Sequence, residues 1–289
     1  MMAEKPVPVR VPALSRLGFP TLIGDWWDYE RLFGTSRFPA DPIGGNSWAR
    51  YSGASYGLVY QRTSMVFHDL GSIIGEEVLA RAMKEYYRRW RFRHPSTADL
   101  RAVFEEVSGR KDAIDRWFEE QVYAAQPVDD RVETVDSAEA LPQPGTEVRG
   151  GQRVELDEKA VQKEIREKRA AFEKEHGKPR PGQPGPFPWR TVVQARRYAA
   201  HVPQTLVVKF ADGTAETLPW PEDERWHRWV LERPVPAESA QIDPQRAWFL
   251  DVNKLDDGRS REAHPLAARR WTLEAAAWLQ TLLAFVEAL

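Results

Sequence analysis

Apolar residues recur with a helical period through residues 55–123 and with a period of two beyond residue 190, so the chain changes character part-way along. Behind Gly75, the residues Val78, Leu79, Ala82, Met83, Tyr86, Tyr87 and Trp90 share one broad helical face. Ser96-Thr97-Ala98-Asp99 spells a capping box, with Asp in the carboxylate position. Leu100, Val103, Phe104 and Val107 supply the apolar stripe of the helix that follows, and Ser108-Gly109 closes it with a left-handed cap. Asp112 is expected to cap a third helix that buries Ile114, Trp117, Phe118 and Val122. The pattern predicts a chain of short amphipathic helices.

The flanking stretches read differently. Residues 1–50 are broken by Pro39, Pro42 and Gly44-Gly45-Asn46, with one short helix expected over 25–33. Residues 127–151 turn polar and extended. Residues 157–176 form a helix by propensity, with a Glu164–Lys168 pair and a thin stripe of Val161, Ile165 and Phe172. A mostly solvated helix is the plain reading, and a partner-binding helix the alternative. Residues 178–188 are a Pro-rich spacer, with an SH3-type ligand as the other option. Strands are expected at 191–193, 205–210, 214–218, 226–231, 239–242 and 247–250, with Asp212-Gly213 turning the second into the third. Six short strands at this spacing predict a small β-sandwich. Residues 265–289 form a closing helix whose Trp271, Ala275, Trp278, Leu282, Phe285 and Leu289 make a docking stripe.

The expected class is therefore α+β: a helical array over 1–126, a charged helix and linker over 127–190, a β-sandwich over 191–258 and a C-terminal amphipathic helix over 259–289. Lys and Arg number 41 against 43 Asp and Glu, a net charge of −2, so no global field selects nucleic acid or an acidic membrane. The basic, aromatic run Arg88-Arg89-Trp90-Arg91-Phe92-Arg93 is accordingly read as helix packing with solvated arginines. No Cys is present, which removes disulfide and thiolate chemistry. The twelve Trp are read as core. Residues 1–20 lack the apolar run of a signal peptide, and residues 271–289 carry Glu274, Gln280 and Glu287, so no membrane span is expected. Compartment stays open.

Several motifs fall in a familiar order. Tyr60-Gln61-Arg62-Thr63, Ile74-Gly75-Glu76-Glu77, Tyr86-Tyr87, the run Phe92-Arg93-His94-Pro95-Ser96-Thr97-Ala98-Asp99-Leu100, and Gly109 through Phe118 resemble the part of the gluzincin aminopeptidases (the aminopeptidase N family) that follows the zinc site. Thr63 stands where Gly is common in that family, and Leu100 where Phe is common. Phe210-Ala211-Asp212-Gly213, Ile242-Asp243-Pro244 and Asp251-Val252-Asn253 are similar to the β-sandwich that follows the catalytic domain in bacterial relatives, where Asp-Pro ends a strand in an Asx turn.

The resemblance implies a zinc-dependent aminopeptidase-like metallopeptidase acting on peptides. It also implies that Tyr60 donates a hydrogen bond to the oxyanion of the tetrahedral intermediate and that Tyr56 lines the same cleft. The residues alone favour Tyr60 as a buried core tyrosine beside Tyr51 and Tyr56, and only the resemblance turns the reading to a catalytic one. Zinc peptidases of this type need His-Glu-x-x-His, because one helical turn aims both imidazoles at one ion. The six histidines here, His68, His94, His176, His201, His227 and His264, include no pair four apart. No metal ligand is therefore assigned in this chain. Zinc is expected only in the complete enzyme, on a missing N-terminal half or a partner chain, and no peptidase activity is expected of this chain alone. A non-catalytic interaction module on a peptidase-derived scaffold is the alternative. Arg62 is expected in a salt bridge or helix contact, and His68-Asp69 and His94 in local polar contacts. The Glu76-Glu77, Glu105-Glu106 and Glu119-Glu120 pairs are expected on solvated faces. No phosphate-binding loop, dinucleotide fingerprint or nucleophile elbow occurs.

Overall fold

The computed structural model describes residues 7–9, 22–24, 41–49, 57–180, 182–262, 269 and 272–281. Tyr51, Tyr56, His264, the helix expected over 25–33 and most of the stripe on the closing helix lie outside those residues. Mixed helix and antiparallel sheet make the architecture α+β. Near the start, strands β1 (Val7–Val9) and β2 (Leu22–Gly24) pair antiparallel.

Four helices follow. A π-helical turn, Gly57–Arg62, leads into α1 (Thr63–Ile74). Gly75, at φ 93°, lets the backbone turn sharply into α2 (Glu76–Trp90), which opens on Glu76 and Glu77 and ends on Arg88 and Arg89, in accord with the helix dipole. Helix α3 (Thr97–Ser108) starts with the expected capping box: the Asp99 N–H donates to Ser96 Oγ and the Ser96 N–H to the Asp99 carboxylate at 2.7 Å. Gly109 closes it in the left-handed conformation. Helix α4 (Lys111–Trp117) runs on as a second π-helical turn, Phe118–Tyr123. Its N-cap is Arg110, so Asp112 sits inside the first turn and does not cap it. The apolar face read on α2 is also narrower than its sequence suggests. Ala82 is buried, whereas Met83 and Tyr87 face solvent.

The second half is two antiparallel sheets stacked face to face. One has the order β3–β6–β9 and the other β11–β10–β7–β8, formed by β3 (Asp130–Glu139), β6 (Trp189–Arg197), β7 (Gln204–Phe210), β8 (Ala215–Trp220), β9 (Trp226–Arg233), β10 (Ala237–Ile242) and β11 (Gly258–Ser260). Val132, Val135, Val193, Ala195, Leu206, Val208, Trp220, Trp229 and Ile242 fill the space between them. The Asp212-Gly213 turn joins β7 to β8 as read: Thr214 N–H donates to the Asp212 carboxylate at 2.9 Å and Gly213 takes φ 83°.

Two segments differ from their sequence reading. Residues 130–139, read as polar connector, form the ten-residue strand β3, which pairs with β6 along its whole length across one bulge. Its polar residues alternate with inward Val132 and Val135, a half-buried pattern that the bulge offsets by one. Residues 247–250, read as a strand, form a turn. The Asp243 carboxylate accepts the Ala247 and Trp248 N–H groups at 2.7 and 3.1 Å, taking the donors a strand ladder would need.

Between β3 and β6 the chain makes a hairpin of β4 (Gly145–Arg149) and β5 (Gln152–Leu156), then α5 (Glu158–His176), capped by Asp157. Only Val161 and Ile165 of α5 are buried, against Leu141, Leu156 and Phe187. The Glu164–Lys168 pair forms at 3.0 Å. A last helix covers 272–281, where Ala275 is exposed and Trp278 half-buried. Among the described residues no helix is long and apolar enough to cross a membrane.

The sandwich is pinned at one end by Arg197, which is fully buried. Its guanidinium donates to Asp130 at 3.0 Å and to the Val202, Pro221, Glu222 and Glu224 carbonyls, and it lies over the Trp220 ring. Burial pushes the Asp130 carboxyl up to about 6, against the pull of Arg197 and Gln204. At the α3 cap, Ser96→Ala removes the hydroxyl partner of the Asp99 N–H. Urea unfolding is expected to show a loss of about 1 kcal/mol; an unchanged midpoint would mean the cap carries no weight.

Candidate functional site

The π-helical turn Gly57–Arg62 presents two side chains in opposite senses. Tyr60 is 63 % exposed, whereas Arg62, two residues on, is 1 % exposed. Tyr60 is therefore a surface residue rather than a core tyrosine. Single π turns are energetically poor and concentrate at functional positions, and this one sits at the head of α1. Arg62 makes the helix contact expected of it, donating to the Gln121 side chain at 3.3 Å and to the Gln126 carbonyl at 3.4 Å. Burial lowers its pKa to about 10, partly offset by the charge of Asp69. Tyr56 lies outside the described residues.

One face of α1 below this turn meets the strand half. Asp69 is 2 % exposed, and its carboxylate accepts the Phe249 N–H at 2.8 Å and the Leu250 N–H at 3.1 Å. His68 stacks on the Phe249 ring with centroids 3.6 Å apart and its Nδ1 lies 3.3 Å from Asp69. Burial raises the Asp69 pKa, while His68 and the two backbone donors pull it down. Trp248 and Leu250 complete the helical core with Met65, Leu70, Phe104, Ile114 and Trp117. The His68-Asp69 pair is thus a structural lock between α1 and the 247–250 turn.

A second contact crosses the same seam. The Glu120 carboxylate accepts the His201 backbone N–H at 3.0 Å and pairs with His201 Nδ1 at 3.0 Å. These two line a shallow cleft with Arg116, Trp117, Gln121 and Glu222. Glu120 is therefore not on a solvated face as read, and its neighbours are engaged too: Glu105 and Glu119 bind Arg101, and Glu106 binds Arg89. Nothing in the local sequence signals Glu120–His201, because its members come from elements 81 residues apart.

The other histidines among the described residues stand separately. His94 is exposed in the α2–α3 connection, His176 ends α5 stacked on Phe172, and His227 on β9 pairs with Glu224. Among the described residues no group of three or more His, Cys, Asp or Glu side chains is arranged to hold a metal ion.

No protein-family model and no curated protein matches this sequence. Among solved structures, the chain is similar to Legionella pneumophila aminopeptidase A, crystallised in complex with aspartic acid, at 8 % identity and a TM-score of 0.36. That likeness covers 67 % of this chain and 17 % of the Legionella protein, so the present chain spans a small part of the longer one.

The Asp69 lock has a direct test. Asp69→Ala leaves two buried N–H groups without an acceptor, and the loss expected in urea unfolding is about 3 kcal/mol. Ser72→Ala, which removes only an exposed bond to the Ala247 carbonyl, is expected to cost less than about 1 kcal/mol. Equal losses would deny Asp69 its special place.

Proposed function

We propose that this chain is the C-terminal segment of a zinc-dependent aminopeptidase-like metallopeptidase of the gluzincin type, with the metal held by residues outside it. Support comes from the motif order across residues 55–123, which the helices α1 to α4 follow in sequence. The observation that carries the reading is Tyr60: a phenol presented to solvent on a π-helical turn whose neighbour Arg62 is anchored in the core. In this role the phenol O–H donates to the oxyanion that develops when a peptide carbonyl is attacked, and it does so without ionising at neutral pH. The buried Arg62 and the Asp69 lock hold α1, and so the turn, in fixed orientation. Tyr56 is proposed to line the same cleft, with a peptide as substrate.

The second reading, a non-catalytic interaction module, is favoured by the exposure of Met83, Tyr87 and Phe92 on and just after α2. The two readings part on upstream coding sequence, where only the first expects an in-frame His-Glu-x-x-His.

Purified alone, the chain is expected to contain almost no zinc and to leave aminoacyl fluorogenic substrates intact. One tightly held zinc per chain, with turnover abolished by Tyr60→Phe, would overturn that expectation. In the complete enzyme, Tyr60→Phe is expected to lower kcat by about 10²- to 10³-fold with little change in KM. In the chain alone, the same exposed substitution is expected to shift stability by less than about 0.5 kcal/mol. An unchanged kcat in the complete enzyme would remove Tyr60 from the mechanism.

A further inference from the structure

The loop from Asp243 to Asp257 folds around one ammonium group. Lys254 Nζ lies 3.0 Å from Asp243, 2.8 Å from Asp251 and 3.2 Å from Asp257, and all three carboxyl groups are at most 5 % exposed. Three carboxylates against one ammonium would leave two uncompensated negative charges in a nearly water-free pocket, a costly arrangement. Asp129 and Arg131 at the start of β3, together with Asp256, adjoin this cluster: Arg131 binds Asp256 at 2.8 Å, and the charges of Asp251 and Asp256 act on Asp129.

The three members of the cage are not equivalent. Asp243 also accepts two backbone N–H groups, from Ala247 and Trp248, and Asp251 accepts the Asn253 N–H at 3.0 Å. Among the described residues the Asp257 carboxyl receives only Lys254, and its Oδ1 faces no donor. It lies within hydrogen-bonding reach of the Asp251 carboxylate, a contact between two acceptors that holds only if one carries a proton. The least-supported carboxyl, Asp257, is the place for that proton.

We propose that the Lys254 cage is a proton-held clasp on the junction loop: a proton on Asp257 keeps the loop seated on the helical array, and its loss as pH rises loosens residues 246–250. The route from clasp to seam is short. Asp243, which binds Lys254, also fixes the Ala247 and Trp248 N–H groups. The next residues, Phe249 and Leu250, end on Asp69 of α1.

Burial and the charge of Asp251 push the Asp257 carboxyl up to about 8, with Lys254 pulling the other way. Burial disfavours the Lys254 ammonium, but the surrounding carboxylates outweigh it and hold its pKa above the ordinary lysine value, so Lys254 stays charged through the range. For Asp257 the folded pKa lies above the unfolded one. The folded state therefore binds the proton more tightly, and its advantage is lost as pH rises toward about 8.

The test is backbone hydrogen exchange of residues 246–250 in the whole chain from pH 6 to 10, corrected for intrinsic exchange rates. Protection is expected to fall about tenfold per pH unit from pH 6 to about pH 8, the slope of one proton, and to stay level above that. Asp257→Asn keeps the shape and removes the titration, so its protection is expected to stay level to pH 10. Asp256→Asn, outside the cage, is expected to keep the wild-type fall. Level protection in the wild type, or an unchanged fall in Asp257→Asn, would overturn the clasp.

Discussion

Asp69 lies on α1, buried, with both carboxylate oxygens taken by backbone N–H groups from residues 180 and 181 positions further along the chain. Peptide N–H groups at a buried turn need acceptors, and here no strand partner provides them. The carboxylate supplies both at once and fixes where the 247–250 turn meets the helices. Trp248 and Leu250 then enter the helical core, and His68 stacks on Phe249 beside them. At this seam residues of the strand half enter the helical core, Val128, Ala200 and Val202 among them.

Buried charge recurs at the points that set this geometry. Arg62 anchors the π turn beneath Tyr60, Arg197 closes one end of the sandwich, and Lys254 gathers the loop that bears Trp248. Arg62 and Arg197 are held by partners distant in sequence, and Lys254 by three aspartates of its own loop. Such groups are costly to strand and so favour one arrangement of the segments over its neighbours. The exposed Tyr60 phenol is the exception, directed outward where these groups are directed in.

Local signals in the sequence account for much of the helical half and the later strands. Ser96 and Asp99 carry their own capping partner three residues away, and Asp212-Gly213 encodes its own turn, so both are visible without tertiary information. Strand β3 was hidden because a bulge breaks its alternation and half its residues are polar. The turn at 247–250 has strand-like composition, and only the side chain of Asp243 diverts it. Tyr60 could be singled out by its setting, through resemblance rather than through any pattern of charge or period. Asp69 and Glu120–His201 depend on contacts between distant segments, whereas the Lys254 cage closes within one loop, and the density of Asp between residues 251 and 257 is its trace.

If the seam makes the helices and the sandwich one body, their cores must be lost together. The direct measurement is urea unfolding of the fluorotryptophan-labelled chain by ¹⁹F NMR, following Trp117 in the helical core, Trp229 in the sandwich core and Trp248 at the seam. One shared midpoint for all three resonances is the predicted result. Separate midpoints for Trp117 and Trp229, with Trp248 following only one of them, would contradict it.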